Sequence, residues 1–365
     1  MHMADALLSP GVGGGLYAAS AAAVLYSAKR VQRDEPGEGK APLMAVSGAM
    51  VFAAQMVNFT IPGTGSSGHI AGGIMLAALL GPFAGLLALA AVLVIQCLCF
   101  ADGGLLALGC NIFNIAVIPC LFVYPLLFKP ILSAPAAGGV TAKRIWAASV
   151  VSAIVALQLG SLGVVVETAA SGIIELPFAA FALLMQPIHL AIGVVEGLVT
   201  AAILAFVHAA RPELLAPRAV IMNGHEAYAG IQEGPLAGGA SPARSRPSTK
   251  SIRPVIIAFA AIAAATAAGL SLLASANPDG LEWSIAGVAG TTELEAGGPV
   301  FEFFAAARER LSFMPDYGFA EGGGAGTPIA GLVGAALVFA LAGAATLVIG
   351  AYKNKRKRKS ESERE

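Results

Sequence analysis

The sequence predicts an all-α polytopic membrane protein: a bundle of seven spans, followed by two more spans that flank a small water-facing domain. Three observations carry this. Only 12 % of the 365 residues are charged and 57 % are hydrophobic, whereas soluble domains carry roughly 25 % charged residues. The apolar residues fall in blocks close to the ~20 residues that cross a bilayer. Lys and Arg gather in alternate connections, as they do in cytoplasmic loops.

The blocks follow in order. The first, 12–28, ends at Lys29 and Arg30. The second, 42–58, follows Lys40 and runs into a glycine-rich loop. The third, 69–80, is short and is parted from the fourth, 83–100, only by Gly81-Pro82. The fifth, 105–128, stops at Lys129, and the sixth, 145–166, starts behind Lys143-Arg144. The seventh, 179–208, precedes Arg211. The eighth, 252–275, opens at Arg253, and the ninth, 328–352, runs into Lys353.

With residue 1 outside, 20 of the 22 cations fall on the inner side and only Arg308 and Arg310 fall outside. The N-terminus is therefore expected to be extracytoplasmic and the C-terminus cytoplasmic. Segment 276–327 then lies outside with eight acids against two cations, a small acidic extracytoplasmic domain. Residues 211–251 have the composition of a flexible cytoplasmic linker, between a seven-span unit at 1–210 and a two-span module at 252–352. The tail 353–365 reads as a basic cytoplasmic anchor. No cations precede the first block, so it is not expected to be a removable signal peptide, and bulky His2 should hinder trimming of Met1. A net charge of zero excludes nucleic acid as a partner, leaving membrane lipid. Cys97, Cys99, Cys110 and Cys120 sit in apolar blocks, as small hydrophobes do.

The chain start has a chemical capacity of its own. The amine of Met1, the amide nitrogen of His2 and the His2 imidazole can close a five-membered and a six-membered ring on one metal ion. In-plane nitrogen sets favour Ni(II) or Cu(II). A fourth nitrogen is available from His69, at the end of the loop 58–69, whose Gly63, Gly65 and Gly68 permit backbone shapes closed to other residues. Asp5, Gln55, Asn58, Ser66 and Ser67 are candidates to hydrogen-bond the ligands. Because such ligands must shed protons, affinity is expected to fall below the usual histidine pKa of about 6.5.

Met1-His2-Met3-Ala4-Asp5, PGTGSSGHIAGG from Pro62, ADGGLLALGCNIFN from Ala101 and PIHLAIGVVEGLVTAAIL from Pro187 resemble the substrate-binding S component of nickel and cobalt energy-coupling-factor (ECF) transporters. ANPDGLEWS from Ala276 and FMPDYGF from Phe313 are similar to its small two-span accessory subunit, here fused downstream. The resemblance implies a planar four-nitrogen site from Met1, His2 and His69. It also implies a seven-helix S-component bundle, a transported Ni(II) or Co(II) ion with no resident cofactor, and partners that supply a coupling membrane subunit and ATPase subunits. The chain itself shows no phosphate loop, since Gly39-Lys40 lacks the required neighbours. The membrane expected is the inner, cell membrane.

His189 and Glu196 stand seven residues apart on one face of the seventh span. Ionisable residues in a membrane are functional candidates, and two readings stay open for this pair: packing against a partner during transport, or interhelical hydrogen bonding. Asn111 and Asn114 read as scaffold. Two other functions compete. One is a stand-alone ion-coupled metal carrier. The other is an intramembrane serine hydrolase using Ser66 or Ser67 with His189, which the depth of His189, roughly 15 Å into its span at 1.5 Å per residue, disfavours.

Overall fold

The computed structural model describes residues 2–33, 40–133, 140–215, 221–222, 225–226, 251–292, 294, 296–319 and 326–362. Met1, most of the linker 211–251 and the acids Glu293, Glu295 and Glu321 lie outside the described residues. The main helices are α1 (Pro10–Arg33), α2 (Lys40–Gln55), α3 (Gly73–Leu80), α4 (Pro82–Phe100), α5 (Leu108–Ser133), α6 (Ala142–Ser171) and α7 (Phe178–Ala210), then α8 (Arg253–Ala268), α9 (Gly280–Ala289), α10 (Pro299–Leu311) and α11 (Gly326–Ser362). Among the described residues, α4, α5, α6, α7 and the 326–345 part of α11 are long and apolar enough to cross a membrane, while α2 and α8 are shorter apolar helices.

The third block departs from the expected span. Only its last eight residues are helical, about 12 Å at 1.5 Å per residue. Residues 69–72 enter as non-helical chain, Gly72 takes φ +80° as the N-cap, and Gly81 at φ +87° turns the chain into α4. Non-helical backbone at membrane depth survives only where protein surrounds it, and residues 73–79 are buried. Gly85 lets α4 come against the backbone of α3, where an added Cβ would lie 2.8 Å from the Ala77 nitrogen. From sequence this is a mostly apolar block of twelve residues, in which a buried half-helix and a short span look alike.

Ahead of α3, β1 (Phe59–Ile61) pairs antiparallel with β2 (Ser66–Gly68), Thr60 opposite Ser67. Gly63 and Gly65 take φ +77° and +75° in the turn. Residues 113–128 of α5 are wound as a π-helix with Pro119 and Pro125 inside it.

The two C-terminal helices pack on the bundle. α8 and α11 lie along α2, and the α2–α11 seam is made close by small residues, as in membrane helix pairs generally. An added Cβ on Gly334 would meet the Phe52 ring at 2.0 Å, and one on Gly48 would meet Val338 at 3.2 Å. The PDGLE stretch starts α9 with a capping box. Asp279 Oδ1 accepts from Leu281 N at 2.8 Å and Glu282 N at 2.9 Å, and Glu282 Oε2 accepts from Asp279 N at 3.0 Å.

Candidate metal centre

Five stretches distant in sequence meet at one end of the bundle: residues 2–8, the hairpin ending at His69, loop 101–107 and the C-terminal segments 275–283 and 313–319. Residues 2–8 are threaded into the protein, with Met3, Leu7 and Leu8 buried. Asn111 clamps Met3 from both sides: its Oδ1 accepts the Met3 N–H at 2.7 Å and its Nδ2 donates to the Met3 carbonyl at 3.3 Å. Gly104 N donates to the same carbonyl at 2.8 Å. The approach is too close for any side chain at 104, where a Cβ would fall 1.9 Å from Asp5 Oδ1.

This threading sets the His2 ring beside that of His69, stacked at 5.3 Å between centroids and 13° between planes. His2 Nδ1 stands 3.1 Å from Asp102 Oδ1, and its Nε2 is buried without a hydrogen-bond partner. His69 Nδ1 lies 3.1 Å from the Ile70 carbonyl. The other oxygen of Asp102 accepts a 2.5 Å hydrogen bond from the Tyr317 hydroxyl.

The electrostatics follow from these contacts. Burial drives the His69 imidazole down to about 4, so it presents a neutral ring with a free lone pair over most of the pH range. Burial pushes the Asp102 carboxyl up, but His2 and the hydrogen bonds from His2 and Tyr317 outweigh it and hold it well below the usual carboxylate range. Burial and the Asp102 charge keep the Tyr317 hydroxyl protonated. The site is thus a neutral His69 ring, with His2 held by an anion.

Among the described residues, none of the five expected to hydrogen-bond the ligands bonds His2 or His69, which is done for His2 by Asp102; the five hold the surrounding loops instead. Asp5 Oδ1 accepts from Ala107 N at 3.0 Å. Gln55 Nε2 donates to the Ala71 carbonyl at 2.8 Å and its Oε1 accepts from Gln96 at 2.8 Å. The Asn58 carbonyl accepts from Ser275 N at 2.8 Å. Ser67 donates through N to Pro278 O and through Oγ to Asn277 O, both at 2.8 Å, and Ser66 Oγ bonds the Ser67 carbonyl at 3.2 Å. Trp283 Nε1 reaches the Thr64 carbonyl at 2.9 Å. The C-terminal module therefore grips the hairpin on one side and Asp102 on the other. Sequence reading gave no part to Asp102 or Tyr317, although both stand within motifs quoted above.

Glu196 accepts from Ala71 N at 2.7 Å and Gly72 N at 3.0 Å, closing the N-terminus of α3 two residues beyond His69. His189 Nδ1 lies 2.8 Å from the Met185 carbonyl, and its unpartnered Nε2 is buried. Depth along the helix does not separate His189 from the hairpin: one narrow cavity is lined by Gly68, His69, His189 and Asp279, because chain 69–72 descends into the bundle. Asn114 Nδ2 donates to Glu167 at 2.9 Å. Among the described residues no three His, Cys, Asp or Glu side chains gather as a metal set. A nitrogen set requires the Met1 amine, which lies outside the described residues.

Comparison with known proteins agrees with a transporter. The family profile described as "Cobalt uptake substrate-specific transmembrane region" matches residues 2–214, and that described as "PDGLE domain" matches residues 253–351. A Haloquadratum walsbyi protein described as a metal transport protein is 40 % identical over 220 residues, 59 % of this chain and 93 % of that one. An Archaeoglobus fulgidus protein described as a fused nickel transport protein NikMN is 34 % identical over 219 residues, covering 60 % and 69 %. A crystal structure of a truncated transition metal transporter superposes with a TM-score of 0.49 at 27 % identity over 57 % of this chain and 99 % of that one.

Proposed function

The chain belongs to the family of cobalt-uptake substrate-specific transmembrane regions, carried with a PDGLE domain, and on that premise we propose that it captures Ni(II) or Co(II) at the extracytoplasmic face through Met1, His2 and His69. It is a multi-pass metal transport protein, not an enzyme. The observation that carries the ligand assignment is the stacked pair of His2, from the threaded chain start, and His69, from the end of the hairpin. Chelation by the amine, the amide and the imidazole requires Nδ1 of His2, since only that nitrogen closes a six-membered ring. In the structure that nitrogen faces Asp102 Oδ1 at 3.1 Å, so capture turns the ring to free Nδ1 for the ion, with the carboxylate beside it as an outer partner of the kind metal-bound histidines have.

The ion is the transported substrate, and no resident cofactor enters the reading. ECF-type coupling to ATPase subunits through a separate membrane subunit accounts for release inward, because the sequence carries no phosphate loop. The sorting of cations supports an extracytoplasmic N-terminus and a cytoplasmic C-terminus.

Metal analysis of the purified chain beside a version with one extra residue before Met1 tests the site, since the extension keeps both histidines and moves the amine. Nickel retained by the native start and lost from the extended one is expected. Equal retention overturns the assignment. Uptake by this chain alone, insensitive to ATP depletion, would favour the stand-alone carrier. The hydrolase reading finds no Ser–His pair, because Ser67 Oγ donates to Asn277 O and His189 Nδ1 faces Met185 O.

A further inference from the structure

We propose that Tyr317, from the C-terminal module, is a positioning residue for the metal site: its hydroxyl fixes the Asp102 carboxylate and, through it, the ring of His2. This rests on the metal-capture reading above. The two oxygens of Asp102 have different partners. Oδ2 accepts the Tyr317 hydroxyl at 2.5 Å and Oδ1 stands 3.1 Å from His2 Nδ1, the atom that turns to the ion on capture, so the carboxylate is held from both ends before capture.

The delivery of Tyr317 is itself over-determined. Its ring stacks on Phe100 at 4.9 Å and 17°, with Phe52 at its edge 6.4 Å away. Met314 N donates to Cys99 O at 3.3 Å, tying the segment to the end of α4, one residue before Phe100. Asp316 and Tyr317 both take left-handed conformations, φ +51° and +57°. Such conformations are unfavourable for non-glycine residues and persist where surroundings enforce them. The enforced turn aims the hydroxyl at a carboxylate 215 positions away in sequence.

The chemistry gives the arrangement a use. A carboxylate next to a bound cation is a ligand in its own right. A neutral hydroxyl on Oδ2 keeps Asp102 from turning onto the ion and leaves Oδ1 for the imidazole N–H. The ligand set then stays all nitrogen, the set that suits planar Ni(II). Without the hydroxyl, carboxylate oxygen gains access and the geometry drifts toward the oxygen-rich coordination of harder ions.

Tyr317→Phe in the full chain keeps the ring on Phe100 and removes only the donor. Nickel affinity, measured by chelator competition, should fall about tenfold or more, within the 10–100-fold typical of such outer partners. The absorption of planar Ni(II) should weaken with it. Because Tyr317 acts through Asp102, the double variant with Asp102→Asn should bind no more weakly than Asp102→Asn alone. Wild-type affinity and spectrum for Tyr317→Phe, or losses that simply add in the double variant, overturn the proposal. Should Tyr317→Phe fail to fold, Asp102→Asn decides, and wild-type affinity there overturns it. Nickel lost from the one-residue extension but kept by Tyr317→Phe defeats this inference alone, whereas nickel kept by the extension defeats the capture reading.

Discussion

The Glu196 carboxylate accepts the backbone N–H groups of Ala71 at 2.7 Å and of Gly72 at 3.0 Å, so one side chain of α7 closes the open end of α3. The first turn of any helix leaves donors without partners, and here they are buried, where each unpaired group costs about 1–3 kcal/mol. Glu196→Ala should therefore lower stability by about 3 kcal/mol, and Glu196→Gln, which restores one acceptor, by less. Thermal unfolding in detergent checks the order, and an unshifted midpoint for the Ala variant would refute the capping role.

Acid sensitivity follows from His69. Its folded pKa of about 4 lies below the ordinary 6.5 because burial opposes the charged ring. Between those values the unfolded chain binds the proton that the folded chain refuses, so stability is intact above about 6.5 and drains as pH falls toward 4. The metal-free protein should lose stability over this window relative to His69→Gln. Parallel pH profiles of the two would contradict the assignment.

Gly104 has no room for a side chain against Asp5. Gly104→Ala should push residues 2–5 out of their groove and weaken nickel binding at least tenfold. α4 to α7 are untouched, so far-ultraviolet circular dichroism should not change. Full nickel affinity in this variant would mean that the threaded start is not the ligand platform.

Across the module seam, Trp283→Phe keeps an aromatic ring, though smaller than the indole, and removes the donor to Thr64 O. A single neutral hydrogen bond is worth about 1 kcal/mol net and the smaller ring loses packing besides, so a drop in unfolding free energy of at least that order is expected, measured by denaturant titration in detergent. Ser67→Ala removes the bond to Asn277 O in the same seam and should cost a similar amount while metal uptake persists, which no serine hydrolase would permit.

The long helices were legible because hydropathy over ~20 residues is a strong signal in a bilayer. The half-helix α3 was not, since burial by α4 and α5 supplies what its own length lacks. His2 and His69 were legible as chemistry: an amine, an amide and two imidazoles speak for themselves. Asp102 reads as an ordinary loop acid until Tyr317 arrives from the far end of the chain. The supposed distance between His189 and the hairpin failed for a related reason, because counting along one helix assumes that the neighbouring loop stays at the surface.

The grip of Ser275–Trp283 on the hairpin and of Tyr317 on Asp102 has a consequence for the peptide that joins the two units. Recognition resides in the facing surfaces, so the covalent tether contributes only a raised local concentration. Severed between 211 and 251, the halves should find each other unaided, and dilution, rather than loss of any bond, would set how much of the whole remains.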